Sequence, residues 1–197
     1  MPEAYIVDAV RTPVGRRGGG LAHVHSADLG AHVMRELVTR TGIDPAAVDE
    51  VIFGCLDQIG SQAMDVARTC WLAAGLPDTV PGTTIDRQCG SSQQAISFAA
   101  QAVMSGTEDL VVAGGVQNMS AIPIQSSNLA AKDLGFPDPF SGSAGWTQRY
   151  GNEPVSQFHG AEMIAEKWGI SREDMEEFAI GSHEKALAAQ AAGRSRP

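Results

Sequence analysis

Apolar residues in this chain fall into two alternating textures: short dense runs rich in Ile and Val, and longer stretches in which they recur every three or four positions. The first texture predicts strands buried on both faces, and the second predicts helices lying against a core. Tyr5 to Val10 is the opening run; Arg11-Thr12-Pro13, Gly15 and Gly18-Gly19-Gly20 end it, so it predicts a buried strand feeding a loop. Leu29, Val33, Leu37 and Val38 then recur with helical period, with Ser26 as the expected cap and Gly42 as the stop. Asp44-Pro45 turns the chain into a second strand at Val51-Ile52-Phe53, and Met64 to Ala74 predicts a second helix closed by Gly75. Thr83 to Asp86 predicts a third strand and residues 90–104 a third helix. The small face of that helix (Ala95, Phe98, Ala99, Ala102, Val103) suits a place deep between layers. Leu110 to Ala113 is the next strand, and the Gly114-Gly115 turn lets the backbone approach either the Cys89 loop or a neighbouring strand. Such alternation predicts an α/β layered domain with a mixed, mostly parallel sheet.

From Val116 to Gln157 the texture changes. Pro123, Pro137, Pro139 and Pro154, with many Gly, Ser and Asn residues, predict an irregular stretch of the kind that serves function or oligomerisation. Two helices follow, from about Gln157 to Trp168 and from Arg172 to Ala192. Gly169 closes the first, and Ser171 with Asp174 forms a capping box for the second.

Composition narrows the function. A chain of 197 residues, 43% hydrophobic, is long enough to bury the core of one domain, or of one domain and part of another. A net charge of −9 gives no field for nucleic acid, and Arg11, Arg16 and Arg17 around the glycine run read as a solvated loop. The glycine run lacks the lysine of a phosphate loop and opens no helix, which argues against nucleotide binding. No apolar stretch approaches the roughly 20 residues of a membrane span, and Met1-Pro2-Glu3 leads straight into the first strand, so a cytoplasmic protein with no membrane partner is expected. Cys55, Cys70 and Cys89 are odd in number and widely spaced, fitting neither a disulfide framework nor a metal-ligand set. Glu173, Asp174, Glu176 and Glu177 sit in the first turns of a helix, where acidic residues suit the dipole.

Cys89 carries the candidate chemistry. It joins the third strand to the third helix, and backbone N–H groups at a helix start stabilise negative charge, the condition under which a cysteine attacks acyl carbonyls. Local spacing leaves open the other reading, a small buried apolar residue.

The wider string bears on that choice. TTIDRQCGSSQQAISFAAQAVMSG (residues 83–106) and DLVVAGGVQNMS (residues 109–120) resemble the nucleophile segment of the thiolase family. YIVDAVRTPVGRRGG, VDEVIFGCLDQIG, ARTCWLAAGLP and EMIAEKWGISREDMEEFAIGSHEKA resemble the same family in the same order, over nearly the whole chain. The resemblance implies a thiolase-like layered fold. Residues 1–115 would be the N-terminal core half-domain, and residues 116–197 the start of an inserted loop region that helps bind coenzyme A. It further implies acyl transfer between a cysteine thioester and coenzyme A, by 3-ketoacyl-CoA thiolysis or acetoacetyl-CoA formation, in a homodimer or homotetramer. Coenzyme A and acyl-CoA are then substrates, with no permanently bound cofactor and no metal.

By resemblance Cys89 takes the nucleophile position, Met119 and Ser120 match a segment near the active site, and Ser156, Gln157 and His159 fall where the inserted region nears the pantetheine arm. Where the family's pattern reads Met-Gly, this chain has Ser156, Gln157 and Phe158. The family's Gly-His-Pro, Cys-x-Gly and Asn-Glu motifs do not occur here, and no cysteine follows Cys89. The remaining histidines, His23, His25, His32 and His183, read as scaffold residues. Ser195-Arg196-Pro197 departs from the family's wording, so the chain reads as an N-terminal part, inactive alone. A second class of function stays open: a non-catalytic acyl-CoA- or lipid-binding subunit paired with a separate C-terminal chain.

Overall fold

The computed structural model describes residues 3–194, in two compact units, one running through Pro139 and the other from Phe140 on. In the first unit, α1 (Ser26–Thr41), β1 (Glu50–Gly54), α2 (Val66–Ala73), β2 (Gly82–Ile85), α3 (Ser91–Ser105) and β3 (Val111–Gly115) alternate along the chain, followed by α4 (Ser126–Asp133). The strands form one sheet in the order β2-β1-β3, with Val51 opposite both Gly82 and Val112. Both pairings are parallel, and no antiparallel member of the expected mixed sheet is present among the described residues.

β1 is the central strand and is buried on both faces. Val51, Phe53 and Cys55 alternate towards α1 and α2, while Ile52 points to the other side against Ala95 and Ala99 of α3. Helices therefore cover both faces of the sheet, giving a three-layer α/β arrangement. On the first face the anchor is Trp71, fully buried, whose Nε1–H donates to the Pro77 carbonyl at 2.8 Å. β2 is tied to the start of α2 by side chains: the Thr84 hydroxyl donates to Asp65 Oδ1 at 2.7 Å and accepts from the Ala67 N–H at 3.0 Å, while Asp65 also caps the helix through Arg68 N–H.

Helix starts differ from expectation by a residue or two, for a local reason each time. His25 rather than Ser26 caps α1, its Nδ1 accepting from Ala27 N–H at 3.1 Å, because the Ser26 hydroxyl is drawn inward to Gln62 Oε1 at 3.2 Å. α2 begins at Val66 because Met64 lies in the left-handed region, at φ 61°, with Asp65 then acting as cap.

Tyr5 to Val10 is the larger correction. It forms no strand and joins no sheet, and Tyr5, Ile6 and Val7 are 77%, 82% and 72% exposed. A β-favouring sequence expresses a preference for a pleated, half-buried surface and becomes a strand only where a ladder partner meets it. None meets it among the described residues. α3 differs in a related way: Ser91, Ala95 and Ala99 face the sheet and are buried, whereas Phe98, expected in the buried face, is 42% exposed, as is Ile96. Only one side of the helix is covered.

In the second unit lie α5 (Ala144–Tyr150), α6 (Gln157–Trp168) and α7 (Arg172–Ala191). Like α4, α5 falls inside the stretch expected to be irregular. Gly169 ends α6 in the left-handed conformation, and both halves of the Ser171–Asp174 capping box form at α7. No residue of α6 or α7 is buried, and Phe158 and Phe178 are 86% and 80% exposed. No helix among the described residues is long and apolar enough to cross a membrane.

Carboxylates gather at the amino end of the sheet. Asp49 accepts the N–H groups of Asp109 and Leu110 at 2.7 and 2.9 Å, which hold its pKa down. Glu108 is pushed up, first by desolvation and then by the charges of Glu50 and Asp49. A raised carboxyl favours folding below its unfolded pKa of about 4.3, and that contribution is lost as pH rises through the higher folded value. Glu108→Gln should therefore raise the thermal midpoint at pH 7 relative to the parent, with the gain shrinking towards pH 4. A gain that is equal at both pH values would show that the charge of Glu108 is not its source.

Candidate active site

Cys89 stands on the turn from β2 into α3, and three local devices shape that turn. Asp86 Oδ1 accepts the Gln88 N–H at 2.7 Å, the Ser91 hydroxyl donates to the Gln88 carbonyl at 2.6 Å, and Arg87 N–H donates to Ser91 Oγ at 2.9 Å. Gln88 itself is left-handed, at φ 49°. Such a conformation is uncommon outside glycine, and it lets the chain reverse within two residues. Cys89 is thereby exposed on the turn, one residue before Gly90, the N-cap. Gly90 has no side chain to cap the helix, so no capping side chain covers the N–H end of the 15-residue α3 beside Cys89.

Two glycines seat this helix end on the sheet. A Cβ at Gly54, the last residue of β1, would stand 2.4 Å from the backbone of Ser91 and Ser92. At Gly115, the last residue of β3, it would stand 2.0 Å from Ser92 Oγ and 2.6 Å from the Gly54 carbonyl oxygen. Of the two partners anticipated at Gly114-Gly115, the neighbouring strand is met, since Gly115 abuts the end of β1, while on its other side it meets the first turn of α3 rather than the Cys89 loop itself. Gly54 carried no such signal in the sequence, because one glycine ending a strand has many explanations.

The other two thiols are of a different kind. Burial raises Cys55 to about 11, with the charges of Asp86 and Asp57 adding to it, and raises Cys70 to about 12. Both are buried in the face shared by α1, α2 and β1. Cys89 alone of the three is exposed.

Beyond the carboxyl ends of β1 and β3, a buried polar cluster joins three loops, those before α1, after β1 and after β3. Gln62 Oε1 accepts the Ser26 hydroxyl at 3.2 Å and the Asn118 N–H at 2.8 Å, and its amide donates to the carbonyls of Leu56 and Asp57. The Asn118 side chain donates to the carbonyls of Leu21, Ala22 and Val24 and accepts the N–H groups of Ser120 and Ala121. Asp57, buried and left-handed at φ 53°, accepts Gln125 and Ser127 N–H, both at 2.9 Å, and so pins the start of α4. Sequence inspection missed Gln62, Asn118 and Asp57. A lone amide or carboxylate in a loop looks solvated until its partners are brought in from distant segments.

Met119 follows this cluster, 56% exposed, and lines a cavity with residues of the 17–25 loop. Cys89 does not line it. Ser156, Gln157 and His159 come together at the start of α6 in the second unit, where Ser156 is the N-cap and its Oγ accepts the His159 N–H at 3.0 Å. No group of three or more His, Cys, Asp or Glu residues among those described is placed to hold a metal ion.

Comparison with known proteins places this architecture. Residues 4–196 match the family model described as thiolase, N-terminal domain. The chain is 61% identical over 193 residues to a steroid 3-ketoacyl-CoA thiolase of Mycobacterium tuberculosis, covering 98% of this chain and 47% of that protein. It is 41% identical to a 3-oxoadipyl-CoA/3-oxo-5,6-dehydrosuberyl-CoA thiolase of Escherichia coli, covering 98% of this chain and 50% of the relative. The crystal structure of the Bacillus anthracis acetyl-CoA acetyltransferase superposes with a TM-score of 0.72 at 36% identity, covering 98% of this chain and 49% of that one. The chain thus spans about half the length of the relatives it matches. With the α/β layers and the strand-to-helix turn in place, the match over almost every residue establishes that the chain belongs to the thiolase family, corresponding to its N-terminal domain.

Proposed function

We propose that this chain supplies the acyl-accepting half of a thiolase-type acyltransferase acting on 3-ketoacyl-CoA, with Cys89 as nucleophile. The observation that carries the reading is the exposed Cys89 on a strained turn at an uncapped helix N-terminus, seated by Gly54 and Gly115. In thiolysis the Cys89 sulfur bonds to the 3-keto carbon and the bond between the second and third acyl carbons breaks. The electron pair leaves on acetyl-CoA, which takes up a proton. The thiol of a second coenzyme A then displaces the acyl group from Cys89 and the sulfur is restored. The helix end favours the negative charge of such an intermediate. Residues 1–115 serve as the core half-domain and residues 116–197 as the start of the region shared by the coenzyme site and subunit contacts. Met119, Ser156, Gln157 and His159 are the candidate substrate contacts, and the working protein is a homodimer or homotetramer.

The proton-transfer groups of the family lie in motifs this chain lacks. General acid–base help is worth about 10²–10⁴ in rate and an oxyanion donor about 10²–10³. The 197-residue chain is therefore expected to show no acetoacetyl-CoA thiolysis by itself and to gain it when a matching C-terminal half is added. In the isolated chain, iodoacetamide at pH 8 should label Cys89 far ahead of Cys55 and Cys70, whose thiolate fractions there are on the order of 10⁻³ or below. Slow labelling of all three thiols, with no activity on complementation, would overturn the nucleophile assignment and favour a non-catalytic acyl-CoA-binding subunit.

A further inference from the structure

Loops following β1 and β3 border, with the 17–25 loop, a half-open cavity of about 790 Å³. Its position at the carboxyl ends of parallel strands is where open α/β sheets receive ligands, and its size lies within the range of small-molecule sites. The walls are largely apolar, with Met119, Pro123 and Ile124 on one side and Ala22 and Val24 on the other. What sets it apart is charge. The chain carries 23 acidic residues and a net charge of −9, yet no carboxylate lines this cavity, while Arg17, His23 and His25 do.

Arg17, His25 and Ser120 bring donors to the wall, beside Ser61, whose hydroxyl bonds Ser26 Oγ at 3.3 Å. His25 Nδ1 already accepts the Ala27 N–H, so the neutral ring carries its proton on Nε2. Ser120 Oγ already accepts the Gly18 N–H at 3.3 Å, which leaves its own hydrogen to give. The guanidinium of Arg17 makes no ion pair among the described residues. Of the two carboxylates on the loop after β1, Asp57 is turned to the N–H groups of Gln125 and Ser127, and Asp65 to Arg68 N–H and the Thr84 hydroxyl. The cavity is also preformed, because Asn118 clasps the carbonyls of Leu21, Ala22 and Val24 to the Met119 loop.

From these features we infer that the cavity binds a carboxylate with an apolar body, such as a medium-chain fatty acid anion, its head group met by Arg17 and His23 and its chain by Met119 and Ile124. Cys89 does not line the cavity, which shares only Met119 with the candidate substrate contacts named above, and the inference stands whether or not Cys89 accepts acyl groups.

Titration of the chain with octanoate, octyl phosphate and octanol, followed by the amide NMR signals of Gly18, Ala22, Ser120 and Ala121, tests it. Saturable octanoate shifts are expected, with octanol at least tenfold weaker and octyl phosphate no tighter than octanoate. The double variant Arg17→Gln/His23→Gln, whose altered side chains are exposed, should weaken octanoate at least tenfold, and Ile124→Glu should abolish its binding. Equal binding of octanol would show a merely apolar cleft, and a tenfold preference for octyl phosphate would make it a phosphate site. Undiminished octanoate binding by the double variant and by Ile124→Glu would remove the assigned contacts; each of these results overturns the inference.

Discussion

Gly54→Ala should destabilise the chain by about 3 kcal/mol and slow the labelling of Cys89, although the substitution adds a single methyl group. The added carbon would lie 2.4 Å from the main chain of Ser91 and Ser92, so no side-chain rotation relieves the clash and either β1 or the first turn of α3 must move. Gly90→Ala is the control. It lies one residue from Cys89, but its Cβ would meet only the Arg87 carbonyl oxygen, at 3.4 Å, an ordinary contact, and a cost below about 1 kcal/mol is expected. Urea denaturation and iodoacetamide kinetics on both variants decide the matter. Equal losses in the two would mean that the seat of α3 on β1 is not what positions the turn.

The second large effect is expected at Trp71. Truncation to alanine removes a fully buried ring and leaves the Pro77 carbonyl without its 2.8 Å donor, for a loss of about 3–5 kcal/mol. Against a typical total of about 5–15 kcal/mol, that is enough to leave much of the chain unfolded. Trp168→Ala, at a ring 63% exposed, should change stability by no more than about 0.5 kcal/mol. Similar denaturation midpoints for the two variants would contradict a core centred on α1, α2 and β1.

Periodicity and end signals were sufficient for most of the elements. The capping box at Ser171, the Gly169 stop, the apolar runs at β1 and β3 and the cysteine at a strand-to-helix junction all depend on residues within a few positions of one another. Short-range chemistry of that kind survives in any tertiary setting. The thiolase wording around Cys89 pointed to the family for the same reason.

What the linear pattern left undecided depended on distant partners. Tyr5 to Val10 has the composition of a strand but no ladder to join among the described residues, and Phe98 and Ile96 lie on a side of α3 that nothing covers. Ser26 lost the cap to His25 because Gln62, far along the chain, takes its hydroxyl. Gly54 and Gly115 became the seat of the Cys89 turn, and Asn118 the clasp of three loops, only once packing brought their neighbours within contact. Residue type and spacing can name a helix, a strand or a nucleophile, because those follow from the chain's own backbone and caps. Which polar group is buried, which glycine is compressed and which strand is paired are settled by what the fold sets beside them.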